Sequence, residues 1–479
     1  MKKSLVALAV LAATGAYAQS SVTLFGIIEA TTDIGYNRTQ ESTTTTNTFN
    51  AAGNGLLSTV SSKTATQKNG FRVQDGSDQG SGSSRVGFRG TEDLGGGLKA
   101  NFLLEMGLRI DDGCTTLSAA GGCDNGGGSA NSGGSTFGRN AWGGLSGAFG
   151  EVRLGRQVLG SFGVQGNSGS SGASNGLYDA TTATLLPMGA VRFSNAIRYL
   201  SPNLGGFTGS LMLAAPETSG AAGAFGPTST TETSTAGVVT TTGTSRRTAV
   251  DLALEYANGP AYVGFGYNKR DTGNIGTSST PGPLGTTAVN NGALVFPGTF
   301  VFPFVALAPA TITGYTIGGA YDLGVVKPFI NYTRQKSDNS GVTTFTGVLP
   351  ANNTSQAISG DVNARALSIG LRAPVGAFTI IAGYGRLNQT TNASIVNGTA
   401  TGTTTTTGRV EEKRDAFQLG AQYALSKRTL VEANYGYNRL TSNGNAVQTS
   451  GPVNTGRTEQ FVNGKDRVSA LNVGLKHSF

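Results

Sequence analysis

The segment KANFLLEMGLRI, residues 99–110, carries the pattern that decides the fold. From Phe102 onward its apolar side chains recur at every second position, and Glu105 and Arg109 stand on the other phase. A β-strand turns successive side chains to opposite faces, so this period of two gives one hydrocarbon face and one charged face. Such a strand is typical of a membrane barrel that has lipid outside and water inside.

The same alternation extends outward from this segment over most of the chain. Sixteen segments show it: 21–36, 83–94, 98–111, 137–148, 151–159, 191–202, 207–216, 246–258, 261–271, 311–323, 325–336, 362–374, 378–389, 414–426, 428–441 and 467–479. Short connections such as Gly95-Gly96-Gly97 alternate with long ones such as 37–82. Bacterial barrels alternate short periplasmic turns with long external loops. The sequence therefore predicts an all-β fold, a 16-stranded antiparallel transmembrane β-barrel.

The long connections are rich in Thr, Ser, Gly and Asn, and threonine tracts lie at 43–46 and 403–407. We expect mobile external loops at these tracts, and we find no convincing amphipathic helix after the N-terminal segment. A soluble β-sandwich is the alternative architecture. It does not explain a charged face opposite an apolar face on so many strands.

The N-terminus indicates export. Lys2 and Lys3 precede an apolar stretch at 5–13, and Ala16-Tyr17-Ala18 forms a small-x-small cleavage site. This is the pattern of a secretory signal peptide. We expect a signal peptide at 1–18 and a single barrel domain at 19–479; a cytosolic protein with an apolar first helix is the alternative.

Cys114 and Cys123 are the only cysteines, and eight residues separate them in a stretch rich in Gly and Ser. In an exported protein such a close pair favours a disulfide that holds a loop. A metal site would need more ligands, and no histidine lies nearby.

The composition argues against an enzyme. The single histidine, His477, lies on the lipid-facing phase of the last strand, so the usual catalytic base is missing. No G-x-x-x-x-G-K-[ST] phosphate loop is present, and no residue set indicates a metal or another cofactor. The pI is near 9.4, but the positive residues form no stripe that would bind nucleic acid. We therefore expect no catalysis, no cofactor and no nucleic-acid partner.

Several stretches resemble the Gram-negative general diffusion porins, in particular the beta-proteobacterial, arginine-rich and anion-preferring type. They are SVTLFG at 21–26, SRVGFRGTEDLGGGLKA at 84–100, FGEVRLGR at 149–156, and YLSPN followed by LGGF at 199–207. The C-terminal Phe479 resembles the family's assembly signal, which the barrel-insertion machinery reads. The resemblance implies a homotrimer in outer-membrane lipid, with a water-filled channel through which small ions and hydrophilic solutes diffuse passively.

The resemblance also implies a constriction. The third external loop, 160–190 here, would fold into the lumen; it carries one carboxylate, Asp179, and no Lys or Arg. Arg85, Arg139 and Arg192 match the arginines that oppose this loop in the anion-preferring branch. The alternation of side chains along the strands predicts that four more charged residues face the lumen: Arg89, Arg198, Arg153 and Glu105. Because the positive set is larger, we expect a modest preference for anions.

The same alternation predicts that Phe193 and Trp142 face lipid, on the phases opposite Arg192 and Arg139. Aromatic girdles at the two interfaces, or a trimer contact, would account for Trp142, Tyr199, Tyr256, Tyr384 and Tyr435. A substrate-specific channel or a surface adhesin on a barrel is the alternative function. The inward loop has only Phe162 and Tyr178 as aromatic residues, so it offers no aromatic slide for sugars.

Overall fold

Alternating side chains form antiparallel strands along most of the chain. The computed structural model of the protein describes residues 21–50, 55–74, 84–108, 110, 113, 136–169, 192–215, 228–234, 237–243, 248–272, 310–347, 354–399, 402–451 and 457–479. The strands in these ranges are β1 (Ser21–Phe49), β2 (Leu56–Gln74), β3 (Arg85–Gly95), β4 (Leu98–Gly107), β5 (Asn140–Gly147), β6 (Gly150–Val158), β7 (Arg192–Leu200), β8 (Phe207–Ala214), β9 (Thr228–Ser234), β10 (Gly237–Gly243), β11 (Ala249–Asn258), β12 (Ala261–Thr272), β13 (Ala310–Tyr321), β14 (Lys327–Gly347), β15 (Thr354–Val375), β16 (Phe378–Thr399), β17 (Gly402–Ala424), β18 (Thr429–Gly451) and β19 (Arg457–Ser478). A helix, α1 (Gly160–Gly169), lies between β6 and β7.

Sixteen of these strands close into a barrel. β1, β3–β8 and β11–β19 pair antiparallel in that order, and β19 returns to β1 with Ser478 opposite Ile27. Gly26 and Phe479 complete the seam with two backbone hydrogen bonds of 3.1 Å. Closure pairs backbone groups that an open sheet would expose to lipid. The predicted sixteen-stranded antiparallel barrel is confirmed, and each predicted segment coincides with one of these strands.

The alternation sorts side chains between the two faces of the wall. On β15, Leu367 and Leu371 point outward and are exposed, whereas Ala366 and Ser368 point inward and are buried. In a membrane barrel the outward set contacts lipid and the inward set lines or fills the lumen.

Tight glycine turns join the strands at the end with short connections. Gly95, Gly96 and Gly97 have φ of 84°, 62° and 80°, and Gly376 has φ of 63°. Left-handed backbone costs glycine little, because it has no Cβ. With turns of this kind, the connections at this end have only two to six residues.

At the other end, the strands differ in height around the barrel. Strands β3–β8 have 8–11 residues. Strands β14–β19 have 21–23 residues, and β1 has 29. Since roughly ten tilted residues cross the hydrocarbon core, one side of the barrel continues beyond the membrane as a tall wall.

Three additional strands belong to this wall. β2 pairs with the outer part of β1, and the β9–β10 hairpin pairs with the outer end of β14. The prediction of mobile loops at the threonine tracts is wrong, because 43–46 belong to β1 and 403–407 belong to β17. Threonine is β-branched and favours strands when neighbouring strands supply backbone partners. Those partners are distant in sequence, so local composition does not reveal them.

The helix α1 also departs from the sequence expectation. Four of its ten residues are glycine, the residue with the lowest helix propensity after proline. Such a short helix depends on packing against its surroundings. Within the described ranges, no helix is both long and apolar enough to cross a bilayer.

Candidate functional site in the barrel lumen

Glu105 lies at the centre of a cluster of charged side chains on the inner wall. It lies on β4, opposite Gly87 of β3 and Asn140 of β5. Arg139 donates a hydrogen bond from Nε to the Glu105 carboxylate, and its backbone N donates to the Glu105 carbonyl at 3.2 Å. The Nε of Arg85 lies 4.0 Å from Oε1 of Glu105, and Asn140 donates from Nδ2 to Oε2 at 3.3 Å. One buried carboxylate therefore holds two guanidinium groups together.

Arg192 and Arg156 extend this cluster along the wall. Arg192, the first residue of β7, interacts electrostatically with the arginines around Glu105 and with Arg156. Arg156 donates from Nε to the Gly138 carbonyl at 2.6 Å and from Nη1 to Ser194 Oγ at 2.7 Å. A guanidinium stays charged at any relevant pH. Arg85, Arg139, Arg156 and Arg192 against Glu105 give what we call the arginine cluster a net charge of +3; Glu29, which also attracts Arg85, is itself paired with Lys476 at 3.4 Å.

Strict alternation does not identify Arg156, because counting from Arg153 puts it on the outward face. Gly155 has φ of 127°, and the β6–β7 ladder shifts register between Gly155 and Gln157. The extra residue of this bulge lies on β7, where Ser194 and Asn195 both stand opposite Arg156, and the Arg156 side chain bonds Ser194 across it. The sequence signal was a glycine inside a strand, which often marks a bulge.

The same bulge turns Phe193 of β7 into the barrel. Asn195 has φ of 50°, and Phe193 is buried with Leu159 and Met212. The prediction that Phe193 faces lipid is therefore wrong. Phe162 of α1 packs against the same group, so this apolar contact helps to hold the helix inside.

Trp142 also lies on the lumen side, so its predicted lipid-facing orientation is wrong. The Arg153 guanidinium lies 4.1 Å from the centroid of the Trp142 ring, a cation–π contact, and 2.6 Å from the Glu151 carboxylate. β5 begins at Asn140, so Arg139 stands outside the strand. The face on which Trp142 lies therefore cannot be predicted by counting from Arg139.

The other predicted lumen arginines lie apart from the arginine cluster. Arg198 is opposite Arg153 across the β6–β7 ladder and donates to the Val158 carbonyl at 3.0 Å and to Ser210 Oγ at 3.1 Å. The Arg89 guanidinium lies 5.4 Å from the centroid of the Phe25 ring. The structure therefore brings Arg85, Arg139, Arg192 and Glu105 together, and Arg89, Arg153 and Arg198 line the wall nearer the short turns.

Helix α1 begins at a carboxylate of the inner wall. Asp251 of β11 is fully buried and accepts hydrogen bonds from the backbone N of Gly160 at 2.7 Å and of Ser161 at 3.3 Å. The Ser161 hydroxyl donates to the same carboxylate. A carboxylate here satisfies N–H groups that have no partner in the helix and complements the helix dipole. Asp251 thus anchors α1.

Further contacts fix α1 along β11–β14. Gln165 donates from Nε2 to Thr333 Oγ1 at 3.0 Å, and Asn331 donates from Nδ2 to Ser168 Oγ at 2.8 Å. At Gly266 an added Cβ would lie 2.7 Å from Ser161, so the close approach of helix and wall requires glycine there. The first ten residues of the 160–190 loop are thus packed inside the barrel.

Several predictions concern residues outside the described ranges. They are the signal peptide at 1–18, the cysteines Cys114 and Cys123, and Asp179 in the remainder of the 160–190 loop. Phe479 is described, and it lies on the outward side of the β1–β19 seam with 41% of its surface exposed.

The chain is similar to known proteins along its length. A family model described as Gram-negative porin matches residues 4–443. Outer membrane porin protein 32 of Delftia acidovorans is 28% identical over 489 residues, and an outer membrane porin protein of Bordetella pertussis is 28% identical over 485; both alignments cover 100% of each chain. Among solved structures, an anion-selective porin from Comamonas acidovorans is 21% identical with a TM-score of 0.43, covering 96% of this chain and 100% of its own. Because the family model covers most of the chain and the strands close into a barrel with a charged lumen, the chain belongs to the Gram-negative porin family of outer-membrane channels.

Proposed function

We propose that this outer-membrane porin prefers anions and that the arginine cluster sets the preference. The channel carries small hydrophilic solutes by passive diffusion, as porins do. The observation behind the proposed selectivity is the net charge of +3 that four arginines and Glu105 give to one part of the inner wall. Charges on the low-dielectric wall of a water-filled pore focus the potential and favour ions of opposite sign.

We infer that the 160–190 loop narrows the lumen and that Arg85, Arg139 and Arg192 form one side of the constriction. The anchoring of α1 to β11–β14, away from the strands that carry the arginines, supports this arrangement. Asp179, further along the loop, would then face the arginines. With the cationic wall on one side and the inward loop on the other, a passing solute would come close to the arginines. It would then experience their positive field at short range.

A reversal-potential measurement across planar bilayers under a salt gradient tests the proposed selectivity. We expect the triple variant Arg85→Gln, Arg139→Gln, Arg192→Gln to shift permeability toward cations. A unit charge about 10 Å away in water changes an ion's energy by roughly 0.4 kcal/mol, or about twofold in permeability. Three charges therefore predict a shift of up to about eightfold at low salt, and a smaller shift at high salt because of screening.

The matched control is Arg372→Gln, which removes an inward arginine on β15 that is bonded to Gln422, outside the arginine cluster. We expect it to change the permeability ratio less than any single replacement in the cluster. An unchanged ratio in the triple variant, or an equal effect of the control, would exclude the cluster as the source of selectivity.

We also infer that the chain is exported by its 1–18 signal peptide, inserted by the barrel-insertion machinery and assembled as a homotrimer. The outward position of Phe479 beside β1 supports its role as the assembly signal.

We infer a disulfide between Cys114 and Cys123, which thiol labelling with and without reductant tests. The single histidine, His477, is within 2.9 Å of the Thr429 hydroxyl at the outer face of the last strand, so we propose no catalytic role for the chain.

A further inference from the structure

An apolar patch lies on the inner wall next to the arginine cluster. It consists of Leu103 on β4 and Trp142 on β5, which stand directly opposite each other across the ladder that joins these strands. Each lies two residues nearer the short turns than the opposed pair Glu105 and Asn140. Residues two apart on a strand share a face, so the apolar patch and the arginine cluster line the same part of the lumen.

Glycine leaves space around Trp142. On β6 the residue opposite Trp142 is Gly155, and on β5 the next inward residue is Gly144. A Cβ added to Gly144 would lie 3.2 Å from Cγ of Arg153, so glycine here lets the Arg153 side chain reach the indole. The Arg153 guanidinium lies 4.1 Å from the centroid of the indole ring, and Trp142 is still partly exposed. A solute in the lumen can therefore contact the rest of the indole.

Some guanidinium groups beside the apolar patch have open hydrogen-bond donors. The ion pair between Nε of Arg85 and Oε1 of Glu105 is 4.0 Å long, which exceeds hydrogen-bond distance. The Nε atoms of Arg192 and Arg153 are buried and donate to no acceptor in the part of the chain that the structure describes. Buried donors need an acceptor, so water or a solute in the lumen must supply it.

The distance between the charged row and the apolar row indicates which solute would fit both. Side chains two residues apart on a strand are about 6.6 Å apart, which is close to the length of a benzoate ion. A guanidinium donates two parallel hydrogen bonds to a carboxylate. The attached ring would then lie against Leu103 and Trp142, where two aromatic rings attract each other in tilted or offset arrangements. A halide or phosphate ion would occupy the charged row alone.

We propose that the arginine cluster and the apolar patch together form a binding site for small aromatic carboxylates on the path through the channel. The carboxylate accepts hydrogen bonds from the arginine cluster, and the ring contacts Leu103 and Trp142. The inference rests on the proposed anion preference, because the arginine cluster supplies the charged half of the site. It goes further by naming a class of solute that the lumen retains through a second, apolar contact.

The test measures how an added carboxylate blocks the chloride current of the purified full-length porin in planar bilayers. The probes are benzoate and cyclohexanecarboxylate, which have the same charge and similar size, and only benzoate is aromatic. An aromatic pair contributes about two- to tenfold in affinity beyond the burial of apolar area, so we expect benzoate to block at a concentration lower by this factor. Trp142→Leu should abolish the difference between the two probes, and Trp142→Phe, which keeps an aromatic ring, should retain it.

The matched control is Tyr315→Leu, which removes an aromatic ring on the outward face of β13. Tyr315 stands beside Tyr332 with a distance of 6.3 Å between ring centroids, and the inward positions of β13 belong to neighbours such as Thr316. Because Tyr315 faces away from the lumen, we expect the control to keep the full preference for benzoate.

A second measurement needs no variant, because Trp142 is the only tryptophan of the chain and its fluorescence reports on this site alone. The aromatic carboxylate 4-nitrobenzoate should shorten the fluorescence lifetime of Trp142. Benzoate should then restore the lifetime at a lower concentration than cyclohexanecarboxylate, by the same two- to tenfold factor that the aromatic pair contributes.

Three results would overturn the proposal. Equal block by the two probes in the unaltered chain would leave the arginine cluster as a site for any anion. A benzoate preference that persists in Trp142→Leu would place the aromatic contact elsewhere in the lumen, and a loss of the preference in Tyr315→Leu would remove its connection with the apolar patch. The anion preference is read separately, from chloride and potassium reversal potentials, so it and the aromatic preference can fail independently.

Discussion

At the scale of single residues, the arginine cluster depends on Glu105. Arg85 and Arg139 are close enough to repel each other, and the shared carboxylate offsets that repulsion while it fixes both guanidinium groups on the wall. The same carboxylate lowers the positive charge available to a passing anion. Glu105 thus fixes the positions of Arg85 and Arg139 and reduces the positive field of the cluster.

Replacement of Glu105 by Gln separates these two effects. The net charge of the cluster rises from +3 to +4, so we expect a stronger anion preference by about twofold. Arg139 loses its charged partner in a buried position, which we expect to lower the stability of the folded barrel by about 1–3 kcal/mol. Reversal potentials and thermal unfolding of the same samples measure both. Glu411→Gln, which removes an exposed carboxylate of the tall wall, is the control, and a weaker anion preference in Glu105→Gln would contradict the assigned role.

The sequence reveals only part of the site at this scale. Arg85 and Glu105 lie on regular strands, so the period of two predicts that they face the lumen. Phe193 and Arg156 follow or precede backbone irregularities at Asn195 and Gly155, where counting by twos fails. A bulge depends on the register with the neighbouring strand, which a single strand's sequence does not contain.

At the scale of elements, α1 is the part of the lumen that depends most on its surroundings. A glycine-rich helix of ten residues has little stability of its own. Its N-terminus is held by Asp251 and its remaining turns by Thr333 and Asn331, all on the barrel wall. The wall therefore determines where the inward loop begins.

We predict that Asp251→Ala loosens α1 and leaves the barrel intact. Loss of a capping side chain costs about 1–2 kcal/mol, which is large for a helix of this size and small for a sixteen-stranded barrel. Single-channel recordings should show a higher or more variable conductance, and the unfolding temperature should change little. Asp271→Ala is the matched control, because the Asp271 carboxylate accepts its hydrogen bonds from Thr248 and Thr311 rather than from α1. Identical conductance of the Asp251 variant and the unaltered chain would refute the anchoring role.

The strands could be predicted from the alternation of their side chains, whereas the helix could not. All sixteen barrel strands could be predicted, because lipid on one side and water on the other impose a period of two on each. The helix could not, since its sequence GSFGVQGNSG has one strong helix former, Gln165, and no apolar face, and its contacts come from distant strands. The threonine tract 43–46 is strand rather than loop for the same reason: its partners are in β2 and β19.

At the scale of the whole molecule, the barrel has two functionally different surfaces that the same strands create. The inward phase of β3–β7 carries the arginine cluster, and the outward phase of β14–β19 carries exposed apolar side chains such as Leu367 and Leu371. Both surfaces require that the register around the barrel be fixed, because a slip of one residue would exchange the two faces of a strand. Register is fixed in turn by closure at the β1–β19 seam.

The last residue completes that seam, which leads to a prediction about assembly. Phe479 exchanges two backbone hydrogen bonds with Gly26, and its ring covers Gly26, where any side chain would collide with it. Deletion of Phe479 removes this pair at the point where the barrel closes in lipid, where each unsatisfied backbone group costs several kcal/mol. We expect severalfold less folded barrel in the outer membrane, with export across the inner membrane unaffected. The folded fraction is measured by heat-modifiable mobility in gels, and export by loss of the proposed 1–18 signal peptide. Phe479→Tyr keeps the backbone pair and the aromatic ring, so it should assemble normally; normal assembly of the deletion variant would show that closure does not depend on this residue.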